Sequence, residues 1–187
     1  MTLKISNFKL YHPTDQSILI NNFNLLADNG DIIGIIGPNG SGKTLFLDFV
    51  YQLNSVSTAY FLQDNEKAYF TETVKDEINY HLQNIDTNIV LENIIPDIKA
   101  LGLNYNNIRY LSPFVLSSIE SKILTFVLSL LKPHKICLVD ELDSGITLEG
   151  KSKLSEFLKK NSNEKITLII SHDNKFLEDI CSKIIRL

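Results

Sequence analysis

Four short apolar runs divide the chain, at residues 32–36, 59–62, 136–139 and 166–170. Each run is continuously apolar rather than alternating, a pattern typical of parallel strands that are covered on both faces of a sheet. Helical patterns lie between the runs: one begins near Gly42 and continues to Val50, and two others span about 117–131 and 148–160. Strands that alternate with helices predict an α/β fold.

Two segments depart from this pattern. Residues 3–10 and 18–27 alternate between apolar and polar positions, which predicts antiparallel strands with one face in water. Residues 69–107 are rich in Asn, carry scattered apolar residues and contain Pro96 and Gly102. We interpret this second segment as short helices inserted between core strands.

Composition narrows the class of protein. The chain has 187 residues, 44% of them hydrophobic and 21% charged, which is ordinary for one soluble globular domain. A formal net charge of −4 gives no basic footprint, so we expect no nucleic-acid partner. Cys137 and Cys181 are too few for a disulfide framework and lack metal-ligand spacing.

No targeting segment is visible in the sequence. The first eight residues lack the apolar core of a signal peptide, and no window approaches the roughly 18–20 apolar residues that span a bilayer. We therefore expect a cytoplasmic protein whose membrane role, if it has one, comes through a partner at the inner face of the membrane.

The strongest chemical signal is a phosphate-binding loop. Residues 37–44 fit G-x-x-x-x-G-K-[ST] at every fixed position, after an apolar strand and before an amphipathic helix. Backbone N–H groups of such a loop, together with the helix N-terminus, bind phosphate oxygens. We expect Lys43 to reach the β- and γ-phosphates of ATP and Thr44 to ligate Mg²⁺. The binding residues predicted here are Gly37, Pro38, Asn39, Gly40, Ser41, Gly42, Lys43 and Thr44.

Two later strands end in polar residues that complete a hydrolytic site. The run 136–139 leads into Asp140 and Glu141, and the run 166–170 leads into His172. Side chains at the carboxyl ends of parallel strands face the ligand crevice. Asp140 would hold Mg²⁺, Glu141 would orient or deprotonate the attacking water, and His172 would contact the γ-phosphate.

In this order, the motifs resemble the ATP-binding-cassette (ABC) ATPase family, and the resemblance covers essentially the whole chain. It implies a P-loop NTPase core with a mainly parallel sheet, a small antiparallel β subdomain and an inserted helical subdomain at roughly 69–122. Residues 1–187 would form a single cassette. Gln63 matches the Q-loop glutamine, which meets Mg²⁺ and faces the transporter. Tyr11 is at the distance of an adenine-stacking aromatic, although Phe8 or His12 could take that role.

The family's signature motif, LSGGQ, is degraded in this chain. The usual spacing before Glu141 lands on Leu116-Ser-Ser-Ile-Glu120, in which Ser117 keeps the hydroxyl that caps the γ-phosphate of a second subunit. Ser118 and Ile119 replace the two glycines, and a β-branched Ile obstructs close backbone approach to a phosphate. The site completed in the second subunit should therefore be weakened.

Other departures are smaller. Only residues 54–58 separate the first helix from the next strand, where the family usually inserts a β-hairpin. The family's D-loop lies at 144–147, where Thr147 replaces its usual Asp, and Leu142 replaces the Pro after the catalytic Glu. These changes would alter the contacts between subunits.

The resemblance implies the ATP-binding and ATP-hydrolysing subunit of a membrane transporter, dimeric and bound to a separate permease chain. The degraded signature is explained either by a different ATPase partner with an intact signature or by a slow homodimer. We favour the homodimer because symmetric pairs are the commoner assembly. The alternative function is a soluble ABC-type ATPase without a permease, of the iron–sulfur-assembly or translation-related kind.

Overall fold

The computed structural model describes residues 1–62, 69–85 and 89–187. Their centre is a five-stranded parallel sheet of order β4-β5-β6-β3-β7. Its strands are β3 (Ile32–Ile36), β4 (Thr58–Phe61), β5 (Ile136–Asp140), β6 (Ile166–Ile170) and β7 (Lys183–Arg186). The three central strands β5, β6 and β3 are therefore paired on both sides.

Both faces of the sheet are covered, which explains the continuous apolar runs. Alternate residues of one strand enter different cores: Leu138 packs in one, whereas Cys137 and Val139 pack in the other. One core contains α1 (Lys43–Asn54) and the N-terminal hairpin. The other contains the remaining long helices, α5 (Ser118–Ser129) and α6 (Leu148–Asn161) among them.

The N-terminal hairpin forms the predicted antiparallel subdomain. Strands β1 (Thr2–Tyr11) and β2 (Ile18–Asp28) pair antiparallel, and alternate residues of β1 such as Leu3 and Ile5 are buried. The Phe8 ring lies 5.6 Å from Phe46 and 4.3 Å from Phe49, centroid to centroid. These contacts seat the hairpin on α1, directly behind the phosphate loop.

Short helices occupy the segment between β4 and β5, as predicted. They are α2 (Val74–Gln83), α3 (Leu91–Ala100) and α4 (Tyr105–Ile108), followed by a 3₁₀ turn at Pro113–Val115. Glu77 is fully buried, and its Oε2 accepts hydrogen bonds from the backbone N–H groups of Phe70 and Thr71. This carboxylate attaches the chain entering the segment to α2.

The predicted fold class is confirmed, with differences at the C-terminus. The sequence pattern predicted neither the helix α7 (Asn174–Ile180) nor the edge strand β7. Strand β7 has only two apolar residues, and only Ile185 is buried, so it lacks the apolar run that marked the other strands. Among the described residues, no helix combines the length and apolar character needed to span a bilayer.

Candidate functional site

The carboxyl ends of β3, β5 and β6 lie side by side in the sheet and carry the predicted site residues. The phosphate loop leaves β3, Glu141 follows β5, and His172 lies two residues after β6. Strand β6 pairs with both β3 and β5, so the three ends meet at one edge. That edge is where ligands bind in open α/β sheets.

Two glycines shape the phosphate loop. A Cβ on Gly37 would lie 2.5 Å from the backbone oxygen of Leu187 and 2.7 Å from Ser41 Oγ. Gly42 has φ +91°, and its Cβ would lie 2.9 Å from Leu10 of the hairpin. A side chain fits at neither position, because one lacks space and the other requires the left-handed conformation that glycine adopts readily.

The N-terminus of α1 is open to an anion. Gly42 is its N-cap, with no side-chain cap and no acidic residue in the first turn. Ser41 Oγ is buried without a hydrogen-bond partner among the described residues. Since the first N–H groups of a helix lack acceptors within the helix, these donors suit phosphate oxygens.

Lys43 is buried against the loop rather than extended into solvent. Its ammonium donates to the backbone oxygens of Gly37 and Pro38, each at 3.0 Å. These bonds hold the charge inside the loop, where a phosphate would bind.

Thr44 and Asp140 fit a hard divalent cation. Thr44 Oγ1 donates to Asp140 Oδ2 at 2.8 Å, and Asp140 is 2% exposed. Burial raises the pKa of Asp140, and the nearby Glu141 carboxylate adds to this effect, while Thr44 and Lys43 oppose it. A carboxylate and a hydroxyl of this kind are the oxygen ligands that Mg²⁺ prefers.

Glu141 and His172 form a pair opposite the loop. His172 Nε2 lies 2.9 Å from Glu141 Oε1, and the side chains are 53% and 19% exposed respectively. Glu141 has φ +52°, an unusual backbone conformation for a residue with a side chain, and its N–H donates to Ile170 O at 3.0 Å. Such strain is concentrated at functional sites.

A cavity of about 580 Å³ joins these parts. Its lining brings the phosphate loop together with Glu141 and His172. Because these groups face one space, a phosphate held by the loop would meet a carboxylate able to act on water and an imidazole able to donate a hydrogen bond.

The three candidates for stacking on adenine, Tyr11, Phe8 and His12, lie in different surroundings. His12, rather than Tyr11, lines this cavity, and Tyr11 is 47% exposed. Leu10 packs towards Gly42, and the pairing of β1 with β2 shifts register between Leu10 and Tyr11. Phe8 is buried against α1. Of the three candidates, His12 is therefore the one facing the cavity.

Ser117, another predicted binding residue, does not line this cavity. Ser117 is the N-cap of α5, and it forms a capping box with Glu120. Its hydroxyl donates to Glu120 Oε2 at 2.7 Å and accepts from the Glu120 N–H at 3.3 Å. Gln63 lies outside the described residues.

Sequence reasoning missed Asp143, Lys151 and Ser171, which join the loops that carry Glu141 and His172. Asp143 accepts from Ser171 Oγ at 2.8 Å and lies 3.3 Å from Lys151 Nζ. None of these residues belongs to a motif, and their contacts depend on the register of β5 against β6. The sequence signal for the burial of Asp143 is the apolar Leu142 that precedes it.

Known proteins match both the sequence and the fold. A family model described as "ABC transporter" matches residues 20–144. ATP-binding protein Uup of Buchnera aphidicola is 26% identical over 191 residues, covering 96% of this chain but only 31% of Uup. The energy-coupling factor transporter ATP-binding protein EcfA2 of Clostridium perfringens is 23% identical, with 99% of this chain and 76% of EcfA2 covered.

A solved structure matches over the whole chain. It is the dimeric post-hydrolysis state of the ATP-binding cassette MJ0796 bound to ADP and Pi, with a TM-score of 0.82 and 18% identity. The match covers 100% of this chain and 94% of that one, and it establishes the shared fold. The family match spans well over half of the chain and includes the phosphate loop, Asp140 and Glu141. The chain therefore belongs to the ABC transporter family and is an ATP-binding ATPase of the cassette type.

Proposed function

We propose that this ATPase powers a membrane transporter whose permease is a separate chain, using Mg²⁺-bound ATP. The observation that supports hydrolysis, the step that would power transport, is the Glu141–His172 pair, 2.9 Å apart and facing the same cavity as the phosphate loop. A loop that only bound nucleotide would not need a carboxylate and an imidazole in that position.

Each residue has a defined task in hydrolysis. The N–H groups at the start of α1 bind the phosphates, and Lys43 exchanges its two carbonyl acceptors for phosphate oxygens. Thr44 and Asp140 would hold Mg²⁺, which neutralises charge on the β- and γ-phosphates when bound. Glu141 orients the attacking water and accepts its proton, and His172 donates a hydrogen bond to the γ-phosphate. By its resemblance to the Q-loop glutamine of the family, Gln63 would be a further ligand of Mg²⁺.

A groove beside the edge strand β4 supports docking of a permease. It has a volume of about 430 Å³, and its lining includes the aromatic residues Tyr51, Tyr60, Tyr69 and Phe70. Nearby, the loop at 110–115 exposes Tyr110, Phe114 and Val115 by 64–68% of their surfaces. Clustered exposed apolar side chains indicate an interaction surface. EcfA2 is named as a transporter ATP-binding protein, and three quarters of its length is matched.

We propose that the chain acts as a dimer, and in the simplest case as a homodimer. Ser117 of each copy would face the ATP held by the other. The Glu120 carboxylate bonded to Ser117 would then weaken closure, because it places negative charge beside a phosphate. Slow turnover follows from this arrangement, and a different ATPase partner with a neutral residue there would relieve it.

The second candidate is an ABC-type ATPase without a permease. Uup is named only as an ATP-binding protein, and this chain spans about a third of its length. This candidate predicts partners that do not cross a membrane.

A pull-down separates the two candidates. Tagged Glu141→Gln chain is recovered from its host in mild detergent with Mg-ATP, and its partners are identified by mass spectrometry. The matched control is tagged Lys43→Ala, which should not hold ATP. We expect a multi-spanning membrane protein that is enriched over the control. Recovery of soluble proteins alone would contradict the transporter proposal.

A further inference from the structure

His172 reaches its position through the residues on either side of it. Its own ring is 53% exposed, and its contact on the cavity side is with Glu141. By contrast, the preceding Ser171 is 1% exposed, and the following Asp173 caps α7 by accepting from the Phe176 N–H at 3.1 Å. The orientation of an exposed imidazole therefore depends on how firmly this short backbone segment is held.

Four side chains hold that segment, and we name them the Lys151 network: Asp143, Lys151, Ser171 and Asp173. Ser171 Oγ donates to Asp143 Oδ2 at 2.8 Å and accepts from the Asp173 N–H at 2.9 Å. Lys151 Nζ donates to Asp173 Oδ2 at 2.7 Å and lies 3.3 Å from Asp143 Oδ2. These contacts form a closed ring around the backbone of His172.

The same ring fixes the other half of the catalytic pair. Asp143 is two residues after Glu141 and is 3% exposed. Lys151 comes from α6 and is the cation between two carboxylates that belong to different loops. Two buried or half-buried carboxylates repel one another unless a cation lies between them. Removing the Lys151 charge would therefore weaken the connection between the loop after β5 and the loop after β6.

Lys151 and Asp173 each favour the charged form of the other. The hydrogen bond from Lys151, aided by the Phe176 N–H, lowers the pKa of Asp173. Burial lowers the pKa of Lys151, but Asp173 and Asp143 outweigh this effect and raise it. Both shifts favour the charged forms of Lys151 and Asp173, in agreement with the 2.7 Å contact between them.

We propose that Lys151 is a positioning residue for hydrolysis, which holds His172 at hydrogen-bond distance from Glu141 by bridging Asp143 and Asp173. This inference rests on the proposed roles of Glu141 and His172. Lys151 does not touch ATP in this account. It acts only through the geometry of the Glu141–His172 pair, and a displacement of about 1 Å at such a pair costs up to about 100-fold in rate.

The test compares Lys151→Met with Lys153→Met. Lys153 is on the same helix, pairs with Glu149 at 2.6 Å and has no contact with the network among the described residues. We expect Lys151→Met to lower kcat for ATP about ten-fold or more with KM changed by no more than about two-fold, because a positioning defect affects the transition state alone. Lys153→Met should retain the wild-type kcat. An unchanged kcat in Lys151→Met overturns the proposal.

A double variant separates positioning from general structural damage. In a His172→Ala background, Lys151→Met should have no further effect on kcat, because the residue through which it acts is already gone. A full additional loss in that background overturns the proposal. If His172→Ala itself retains wild-type kcat, the failure lies in the proposed function instead.

Two further measurements cover poor folding or slow turnover of Lys151→Met. Asp173→Asn keeps a good N-cap for α7 but removes the charge that Lys151 binds, so it should lower kcat in the same way. The chain has four histidines, so the ring signal of His172 can be assigned by its loss in His172→Ala. That NMR signal should shift in Asp173→Asn and Lys151→Met but not in Lys153→Met. An unmoved signal in both network variants overturns the proposal.

Discussion

Two helix N-termini in this molecule have opposite electrostatic states. Helix α1 begins at Gly42 with no side-chain cap and no acidic residue in its first turn, and the Ser41 hydroxyl beside it has no partner within the described part of the chain. Helix α5 begins at Ser117 with a complete capping box, and Glu120 accepts from both the Ser117 backbone and its hydroxyl. One terminus is left for a ligand, whereas the other is satisfied by the chain itself.

This difference bears on both halves of a cassette dimer. A helix N-terminus carries roughly half a positive charge, which an anion or a nearby carboxylate can neutralise. In α1 no side chain caps the terminus, which leaves its N–H groups to a phosphate. In α5 the Glu120 carboxylate already supplies the neutralising charge, which weakens any second role of that terminus towards phosphate. The α1 terminus is thus better suited to bind ATP within one chain than the α5 terminus is to cap ATP across a dimer.

The largest expected effect is on the α1 side. Lys43→Ala removes the cation that neutralises phosphate charge inside the loop, and we expect ATP turnover to fall by about 100-fold or more. Turnover by phosphate release and nucleotide affinity by fluorescence would both be measured. The control is Lys132→Ala, an exposed lysine that bonds Ser55 O away from the loop. Wild-type turnover in Lys43→Ala would remove the basis for the phosphate site.

Asp140→Asn should separate activity from stability. Turnover should fall sharply because the cation loses a charged ligand, whereas the free energy of unfolding should rise by about 1 kcal/mol because a desolvated charge is removed. Folding raises the pKa of Asp140, so the wild-type carboxyl costs stability as pH rises above its unfolded pKa. The gain should therefore be present at neutral pH and disappear in acid below that unfolded value.

Denaturant titrations at neutral and acidic pH measure this prediction. Asp179→Asn is the contrasting control, because hydrogen bonds from Ser155 and Lys159 lower the pKa of that carboxyl, so its removal should not stabilise the protein. A loss of stability in Asp140→Asn at neutral pH would show that Thr44 and Lys43 stabilise the carboxylate more than burial destabilises it.

Glu120→Gln should give the smallest effect, on the α5 side. Glutamine retains an acceptor for the capping box but loses the negative charge. We expect ATP to promote dimerisation at about two- to five-fold lower concentration, which corresponds to roughly 0.3–1 kcal/mol at a helix terminus. Sedimentation in a Glu141→Gln background, where ATP persists, measures this.

Asp76→Asn is the matched control for Glu120→Gln. Asp76 occupies the same position in a similar cap on α2, where Thr73 Oγ1 donates to its carboxylate at 2.6 Å. If both substitutions shift dimerisation equally, the effect is one of net charge, and the α5 terminus has no special place in the dimer.

Sequence predicted the parts of the fold that are governed by periodicity. The apolar runs at 32–36 and 166–170 coincide with β3 and β6, because buried parallel strands need apolar residues on both faces. Strand β4 begins one residue before the run at 59–62, at Thr58, which is buried although polar. Strand β7 escaped prediction because only one of its four residues, Ile185, is buried, so it has no continuous apolar run.

The functional site, like the fold, has one part that could be predicted from the sequence and one part that could not. Lys43, Thr44, Asp140, Glu141 and His172 could be placed from motif and strand end, and they lie at one edge of the sheet. The cavity-facing residue of the hairpin could not be decided, because Tyr11 and His12 are neighbours whose directions depend on bulges in β1. The Lys151 network could not be predicted either, since it joins three segments through side chains alone. The extent of the helical subdomain and the roles of the individual residues remain predictions.

The most direct test of the account is ATP hydrolysis by Glu141→Gln, compared with wild type and with Glu156→Gln, an exposed glutamate on α6. Glutamine keeps the size of the side chain and a hydrogen bond to His172 but cannot accept a proton from water. We predict that Glu141→Gln binds ATP like wild type but hydrolyses it about 100-fold or more slowly, while Glu156→Gln stays at the wild-type rate. Hydrolysis by Glu141→Gln at the wild-type rate would contradict the assignment of this cavity as the hydrolytic site.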